Sequence, residues 1–173
     1  KGVIRGILEL VAWMFFQLYQ LLEALLTQAV PLLSSGEWLD LHCDQVGVTR
    51  KAATKAKGYV RFFRSPQTPE SQNIPIPSGR IVRTLPDGNG AVYRYVTLED
   101  GVVRAGQPHA DVLAESEEYG AEANAGTGQI SELATPVSGI DKVSNTVDWL
   151  TDEAASGESD EQLRIRYMYA WLS

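Results

Sequence analysis

The hydrophobic period of this chain changes twice, and those changes limit what it can fold into more than any other feature. Apolar residues recur at helical spacing as far as residue 57. From Gly58 the run Tyr59-Val60-Arg61-Phe62-Phe63 has the pattern of a strand, and short β-like runs then follow between turn signals. Helical steps return at Leu163, Tyr167 and Ala170, behind the capping-box pair Ser159 and Gln162. Segregated segments of this kind predict an α+β fold. N-terminal helices occupy 1–57, a central, mostly antiparallel β domain (a sandwich or partly open barrel) occupies 58–146, and 147–173 is a linker and the start of a C-terminal helix. The expected strands are 58–63, 73–76, 80–84, 91–98, 109–116 and 129–133, with tight turns at Pro77-Ser78-Gly79 and Asp87-Gly88-Asn89-Gly90. Pro75 and Pro77 cannot donate to a ladder, which places them on an edge or at a strand end.

The segment from Gly2 to Leu33 is rich in Leu, Val, Phe and Trp and has to be told apart from a leader or a membrane span. Arg5, Glu9, Gln17, Gln20, Glu23 and Gln28 interrupt it, and no small-residue cleavage site follows, so neither a secretory signal nor membrane insertion is expected. Arg5, Glu9, Gln20, Glu23 and Thr27 instead fall into a narrow polar stripe on an otherwise apolar helix. Such a helix needs cover on most sides, from its own domain or from another copy or subunit, and a short chain has little core to offer it. Ser34 with Glu37 has the spacing of a capping box for a second helix that stops at Gly47, with Trp38, Leu41 and Val46 able to line one of its faces. Arg50, Lys51, Lys55 and Lys57, interleaved with Ala52, Ala53 and Ala56, read as a solvated connector in preference to an anion site.

Composition narrows the function classes. At 44% hydrophobic and 21% charged the chain is globular, and a net charge of −7 argues against a nucleic-acid partner, which would need a basic surface. The single Cys43 excludes an internal disulfide, which suits synthesis in a reducing cytoplasm. Beginning at Lys1 without methionine and ending at Ser173 inside a helical pattern, the sequence reads as a fragment.

Catalytic chemistry is hard to assemble from this inventory, and no catalytic, cofactor or metal residue is assigned. His42 adjoins Cys43, with Asp40 and Asp44 beside them, but neighbours on a helix point in different directions and cannot share one metal. His109 marks a loop or strand start. Glu115, Glu117 and Glu118 read as a solvated strand edge whose charges discourage edge pairing, whereas a glycosidase needs two carboxylates facing across a cleft. Gly126 and Gly128 lack the lysine of a phosphate loop, Gly88 and Gly90 read as a turn, and no Gly-x-Ser-x-Gly elbow occurs.

Four stretches, in order, resemble the baseplate J-like family of contractile phage tails and related injection systems. The first joins Trp38-Leu39-Asp40 to Gln45-Val46-Gly47-Val48-Thr49-Arg50, Ala52-Ala53-Thr54 and Ala56-Lys57-Gly58. Next comes Ile74-Pro75-Ile76-Pro77-Ser78-Gly79, similar to the family's I-P-x-G turn. Tyr119-Gly120 with Asn124, Gly126 and Ile130 resembles a glycine-rich segment, departing from it at Ala121-Glu122-Ala123. The last and most specific block runs from Pro136-Val137-Ser138-Gly139-Ile140-Asp141-Lys142-Val143-Ser144-Asn145 to Gly157-Glu158-Ser159-Asp160-Glu161-Gln162-Leu163-Arg164-Ile165-Arg166.

The resemblance implies a non-enzymatic baseplate wedge subunit, here its N-terminal to central part, assembled in the bacterial host cytoplasm and located in the virion tail. Its implied partners are other baseplate and tail proteins and further copies in a ring, with no nucleic acid, membrane insertion or cofactor. A carbohydrate- or receptor-binding β module of a tail spike or adhesin is the alternative, and would use exposed aromatics such as Tyr59, Tyr93, Tyr95 and Tyr119. A cell-wall hydrolase stands third. Within the last block Asn145 reads as closing an Asx turn at a strand end, and Ser159 as capping the final helix, with Asp160 and Glu161 in its first turn. Ser159→Ala should therefore lower stability by about 1 kcal/mol without abolishing assembly. Loss of assembly at an unchanged melting temperature would place Ser159 in an interface instead.

Overall fold

In the computed structural model of this chain residues 2–172 are described; Lys1 and Ser173, the outer ends of the expected first and last segments, lie outside them. The chain divides into two compact units with separate cores. One is helical and draws on both ends of the sequence, up to Lys51 and from Glu158 onward, while the other is the β unit Ala52–Gly157.

The helical unit contains α1 (Val3–Ala29), α2 (Glu37–Asp44) and α3 (Asp160–Leu172). Its core joins Leu39 and Cys43, one turn apart on α2, to Val48 and to Leu163 and Tyr167 of α3, with Val46 and Ala170 packed around them. Trp38 and Leu41, expected to line one face of this helix, are not part of that core and are 47% and 58% exposed. They flank the Leu39–Cys43 stripe on a helix of eight residues, which has room for a single inward row.

The expected Ser34–Glu37 capping box does not form. Gly36 is the residue before the helix, at φ +56°, and no side chain caps it. Ser34 is buried and donates its hydroxyl to the Pro31 carbonyl. The backbone reversal after Ser35 requires a positive φ that glycine alone adopts freely, so Gly36 displaces serine from the cap. At α3 the capping box does form: the Ser159 hydroxyl accepts from the Gln162 N–H at 3.3 Å, and the Gln162 side-chain oxygen accepts from the Ser159 N–H at 3.1 Å.

The β unit holds β1 (Lys55–Arg64), β2 (Ile74–Ile76), β3 (Ile81–Thr84), β4 (Arg94–Thr97), β5 (Gly101–Val103), β6 (His109–Tyr119), β7 (Ile130–Leu133) and β8 (Ile140–Asp152). Six strands form an antiparallel sheet in the order β7-β3-β4-β6-β1-β8, curled so that its two outer strands approach each other and the sheet nearly closes into a barrel. Alternate residues of β1 point inward, Val60 and Phe62 among them, to meet Val112, Val143, Ile130 and Tyr95. β2 and β5 form a separate two-stranded ribbon, which leaves Pro75 on a strand with one neighbour, as its missing N–H demands.

Neither β5 nor β8 was among the expected strands. β8 is the longer omission, and its composition explains it: Asp141, Ser144, Asn145, Thr146 and Asp148 include several poor strand formers, and its pairing is interrupted. Gly58 lies opposite Leu150 while Val60 lies opposite Asn145, so β8 carries extra residues against β1 and bulges. The bulge turns Trp149 inward over Gly58. A Cβ at Gly58 would stand 2.1 Å from the Trp149 carbonyl oxygen and 2.6 Å from its ring, so this close approach requires glycine. Gly58→Ala should destabilise the β unit by about 3 kcal/mol in urea unfolding. A loss below about 1 kcal/mol would show that β8 yields without cost.

Candidate functional site

The seam of the barrel lies between β7 and β8, and side chains close it. Asn145, buried in the middle of β8, donates its side-chain N–H to the Gly126 carbonyl at 2.9 Å and accepts from the Ile130 N–H at 3.0 Å, while its backbone carbonyl accepts from the Gly128 N–H at 3.0 Å. This replaces the expected Asx turn at a strand end. Asn124 makes the equivalent bidentate pair with the N–H and carbonyl of Ala154, both at 2.8 Å. The Trp149 indole donates to the Ala125 carbonyl at 2.8 Å, and the Tyr95 hydroxyl to that of Ala123 at 2.7 Å. The two rings meet edge to face at 5.5 Å. Burial pushes the Tyr95 phenol up from its ordinary value, which keeps it a neutral donor. Gly126 and Gly128 thus belong to a turn that fastens the seam.

A second cluster organises the helical unit around Arg50. Its guanidinium donates to the Asp40 carboxylate at 2.8 Å, the Glu158 carbonyl at 2.8 Å and the Asp160 carboxylate at 2.7 Å. The other Asp160 oxygen accepts from the Gly36 N–H, and the Glu158 carboxylate accepts from the Lys51 N–H and from Arg166 at 2.6 Å. Arg50 is therefore a cross-brace and not part of a solvated connector. The Gly36 N–H and then the Arg50 guanidinium hold the Asp160 carboxyl below its ordinary range. Burial pushes Glu158 up, but Arg166 and the Lys51 N–H outweigh it and hold that carboxyl low as well. Lys55 and Lys57, further along the same basic run, belong to β1 of the β unit and pair there with Glu115 of β6 at 3.4 and 3.2 Å.

The remaining candidates are dispersed. The Glu run is solvated at Glu117 and Glu118 but is not on an edge, since β6 lies between β4 and β1, Glu115 carries the lysine pairs and Glu117 lies 3.3 Å from Arg94. A strand with neighbours on both sides needs its charges compensated across the ladder. His42 contacts the Gln28 carbonyl, Asp40 serves Arg50, and the Cys43 thiol is in the core, its pKa raised by burial. Among the described residues no three His, Cys, Asp or Glu converge as metal ligands. His109 opens β6 and packs on Phe63. Tyr95 is core, Tyr93 packs against it, and only Tyr59 and Tyr119 of the four tyrosines are exposed.

The largest open feature is α1. Not one residue of this 27-residue helix is buried, although Ile4, Ile7, Val11, Met14, Leu18, Leu21 and Leu25 repeat down one side and Leu8, Phe15 and Leu22 widen that face. An 18-residue window has a mean hydropathy of 1.4, so by length and composition alone the helix could cross a bilayer. Along the opposite side run Arg5, paired with Glu9 at 2.8 Å, and Gln20, Glu23 and Thr27. Trp38 and Leu41 of α2, and Tyr169 and Trp171 of α3, are also exposed.

Fold and surface together define a class: an antiparallel barrel sealed by its own side chains, inserted in sequence between the parts of a helical unit whose apolar surface is uncovered. Residues 59–152, more than half of the chain, match the model of the baseplate J-like protein barrel domain, and the chain belongs to that family. A relative from Haemophilus phage HP1, named "Putative baseplate protein gp29", is 29% identical over 151 residues, covering 85% of this chain and 37% of its own length. The cryo-EM structure of the anti-feeding prophage baseplate contains a chain that shares the fold, with a TM-score of 0.57 at 10% identity, covering all of this chain and 48% of that one. The chain thus spans less than half the length of either.

Arg50→Met should cost about 2 kcal/mol of helical-unit stability at neutral pH. Because Arg50 helps hold the Asp160 carboxyl below its ordinary value when folded, Asp160 stabilises the fold above the ordinary carboxylate range and loses that contribution as pH falls through the lowered value. Acid unfolding followed by circular dichroism should therefore be shallower in the variant, and equal pH slopes would remove Arg50 from the linkage.

Proposed function

We propose that this chain is part of a structural, non-enzymatic subunit of a phage or prophage contractile-tail baseplate, joining neighbouring tail proteins and further copies of itself. The observation that carries the proposal is α1, a long apolar helix with no buried residue in a chain that belongs to the baseplate J-like family. Protein is a better cover for it than lipid. The polar side consists of two patches, the Arg5–Glu9 pair near the start and Gln20, Glu23 and Thr27 toward the end, and hydrocarbon would remove water from the Gln20 amide and the Glu23 carboxylate without replacing its hydrogen bonds. A flanking protein helix can take the apolar face and leave the polar side in solvent. The receptor-binding alternative loses two of its four tyrosines to the core and keeps Tyr59 and Tyr119, the second of which lies under the Lys55 ammonium.

The test is a pull-down of the full-length protein against the tail proteins encoded beside it, with and without residues 3–29, together with flotation on phosphatidylglycerol vesicles. Capture of a tail protein by the intact form and its loss on deletion, with unchanged β-unit melting, is the expected result. Helix-dependent flotation without any tail partner would overturn it in favour of a membrane role. Binding of a glycan by both forms without a tail partner would favour the receptor module.

A further inference from the structure

Arg80 stands apart from the other arginines of the β unit. Arg61 is paired with Asp111, Arg83 with Glu132 and Arg94 with Glu117, and Arg64 donates to a ring of backbone carbonyls. Arg104 is exposed to water. The half-buried Arg80 has no ion-pair partner among the described residues, and its Nε is buried without any hydrogen-bond partner. Leaving a guanidinium donor dry and unpaired is costly, and native structures do so rarely.

Arg80 lines a cleft of about 400 Å³ beside the Pro77-Ser78-Gly79 turn. Thr68, Ser138, Gln72 and Asn73 are also among the residues that line the cleft, with no aspartate or glutamate in its lining. The Asn73 carboxamide oxygen already accepts from the Ala105 N–H at 2.8 Å, leaving its NH₂ as the unused end. Pro75 and Pro136 add apolar wall. The base of the arginine is fixed, since the Arg80 N–H donates to the Thr97 hydroxyl and its carbonyl accepts from the Thr97 N–H, both at 2.9 Å. The opposite wall is held close by Gly139, at φ +86°, where a Cβ would stand 3.2 Å from the Thr68 hydroxyl.

We propose that this cleft is a carboxylate-binding site that takes an acidic side chain or a chain-terminal carboxylate from another protein. A planar guanidinium offers parallel N–H donors matched to the two oxygens of a carboxylate, and the surrounding hydroxyls and amides can donate to the same group. A polyphosphate is a worse fit, because the cleft holds one cation in a chain of net charge −7. That the donor is a neighbouring baseplate subunit rests on the reading given above; the chemistry of the cleft does not.

The experiment follows the arginine Nε–H and backbone amide resonances of the ¹⁵N-labelled chain during titration with N-acetylglycine, a mimic of a chain terminus. Uncharged N-acetylglycinamide and inorganic phosphate serve as comparison probes. Expected are saturable shifts of Arg80, Ser138 and Gly139 with N-acetylglycine, none with the amide, and weaker binding of phosphate. Arg80→Gln should abolish the response, and Arg80→Lys should weaken it about tenfold by removing the planar fork. Should Arg80→Gln fail to fold, Ser138→Asp places a carboxylate inside the cleft and should block the probe. No saturable shift, an equal response to the amide, or tighter binding of phosphate would each overturn the proposal. None of these results depends on α1 or on any tail protein, so the site can fail while the assembly reading stands, and the reverse.

Discussion

A curled sheet of six strands that stops short of full closure has two edges to satisfy, and Asn145 is where this one satisfies them. Unpaired backbone groups at a buried seam are costly, and an exposed edge invites pairing with other chains. A single carboxamide, held in the middle of β8, supplies one donor and one acceptor to the Gly126–Ile130 segment and stands in for the ladder that the two outer strands do not complete. Only a side chain with both functions on one rigid plane can do this. Aspartate would bring a negative charge up to the Gly126 carbonyl, and an aliphatic residue would leave two polar groups unpaired. Asn124 repeats the device against Ala154, and Trp149 extends it through the indole N–H. The bulge in β8 that brings Trp149 inward, the glycine that lets it approach and the turn at Gly128 all serve this closure.

Charge does for the helical unit what amide pairing does for the barrel. Its core is small, and one arginine holds α2, the residues before α3 and the first turn of α3 together. The acidic residues that begin α3 have two roles: they lie at the positive end of the helix dipole, and Asp160 joins the helix to Gly36 and Arg50. Residues far apart in sequence are needed for this unit, which draws on both ends of the chain.

The sequence revealed much of this, and where it failed the reasons are physical. The two changes of hydrophobic period located the three helices and most of the sheet, because burial on one face imposes its spacing whatever the tertiary partners are. The Ser159–Gln162 cap was equally legible, being a local contact. β8 was not, because a strand rich in Asp, Ser and Asn reads as a loop when its pairing and its interior contacts are unseen. The same blindness placed Glu115 on an edge, put Arg50 in solvent and turned Asn145 into an Asx turn, since each acts through a partner distant in sequence. Spacing proposed a cap at Ser34 that the positive φ of Gly36 displaced, and spacing carries no information on φ. Arg80 gave no signal at all, because an arginine without a partner is visible only after the other arginines have been matched.

The two units differ in how far they satisfy their own requirements, and that difference bears on function. The barrel core includes residues from nearly every strand, and its seam is closed from within, so its fold needs nothing from outside. In the helical unit α2 and α3 share a small core to which α1 contributes no buried residue. Helices of this kind draw most of their stability from packing an apolar face, not from intrinsic propensity. A helix apolar over most of its circumference, attached to a unit too small to cover it, is therefore the part of the chain with the most packing left unmade. The barrel meets its packing and hydrogen-bonding requirements internally, whereas the exposed apolar face of α1 does not, so a burial requirement remains on the helix and not on the barrel.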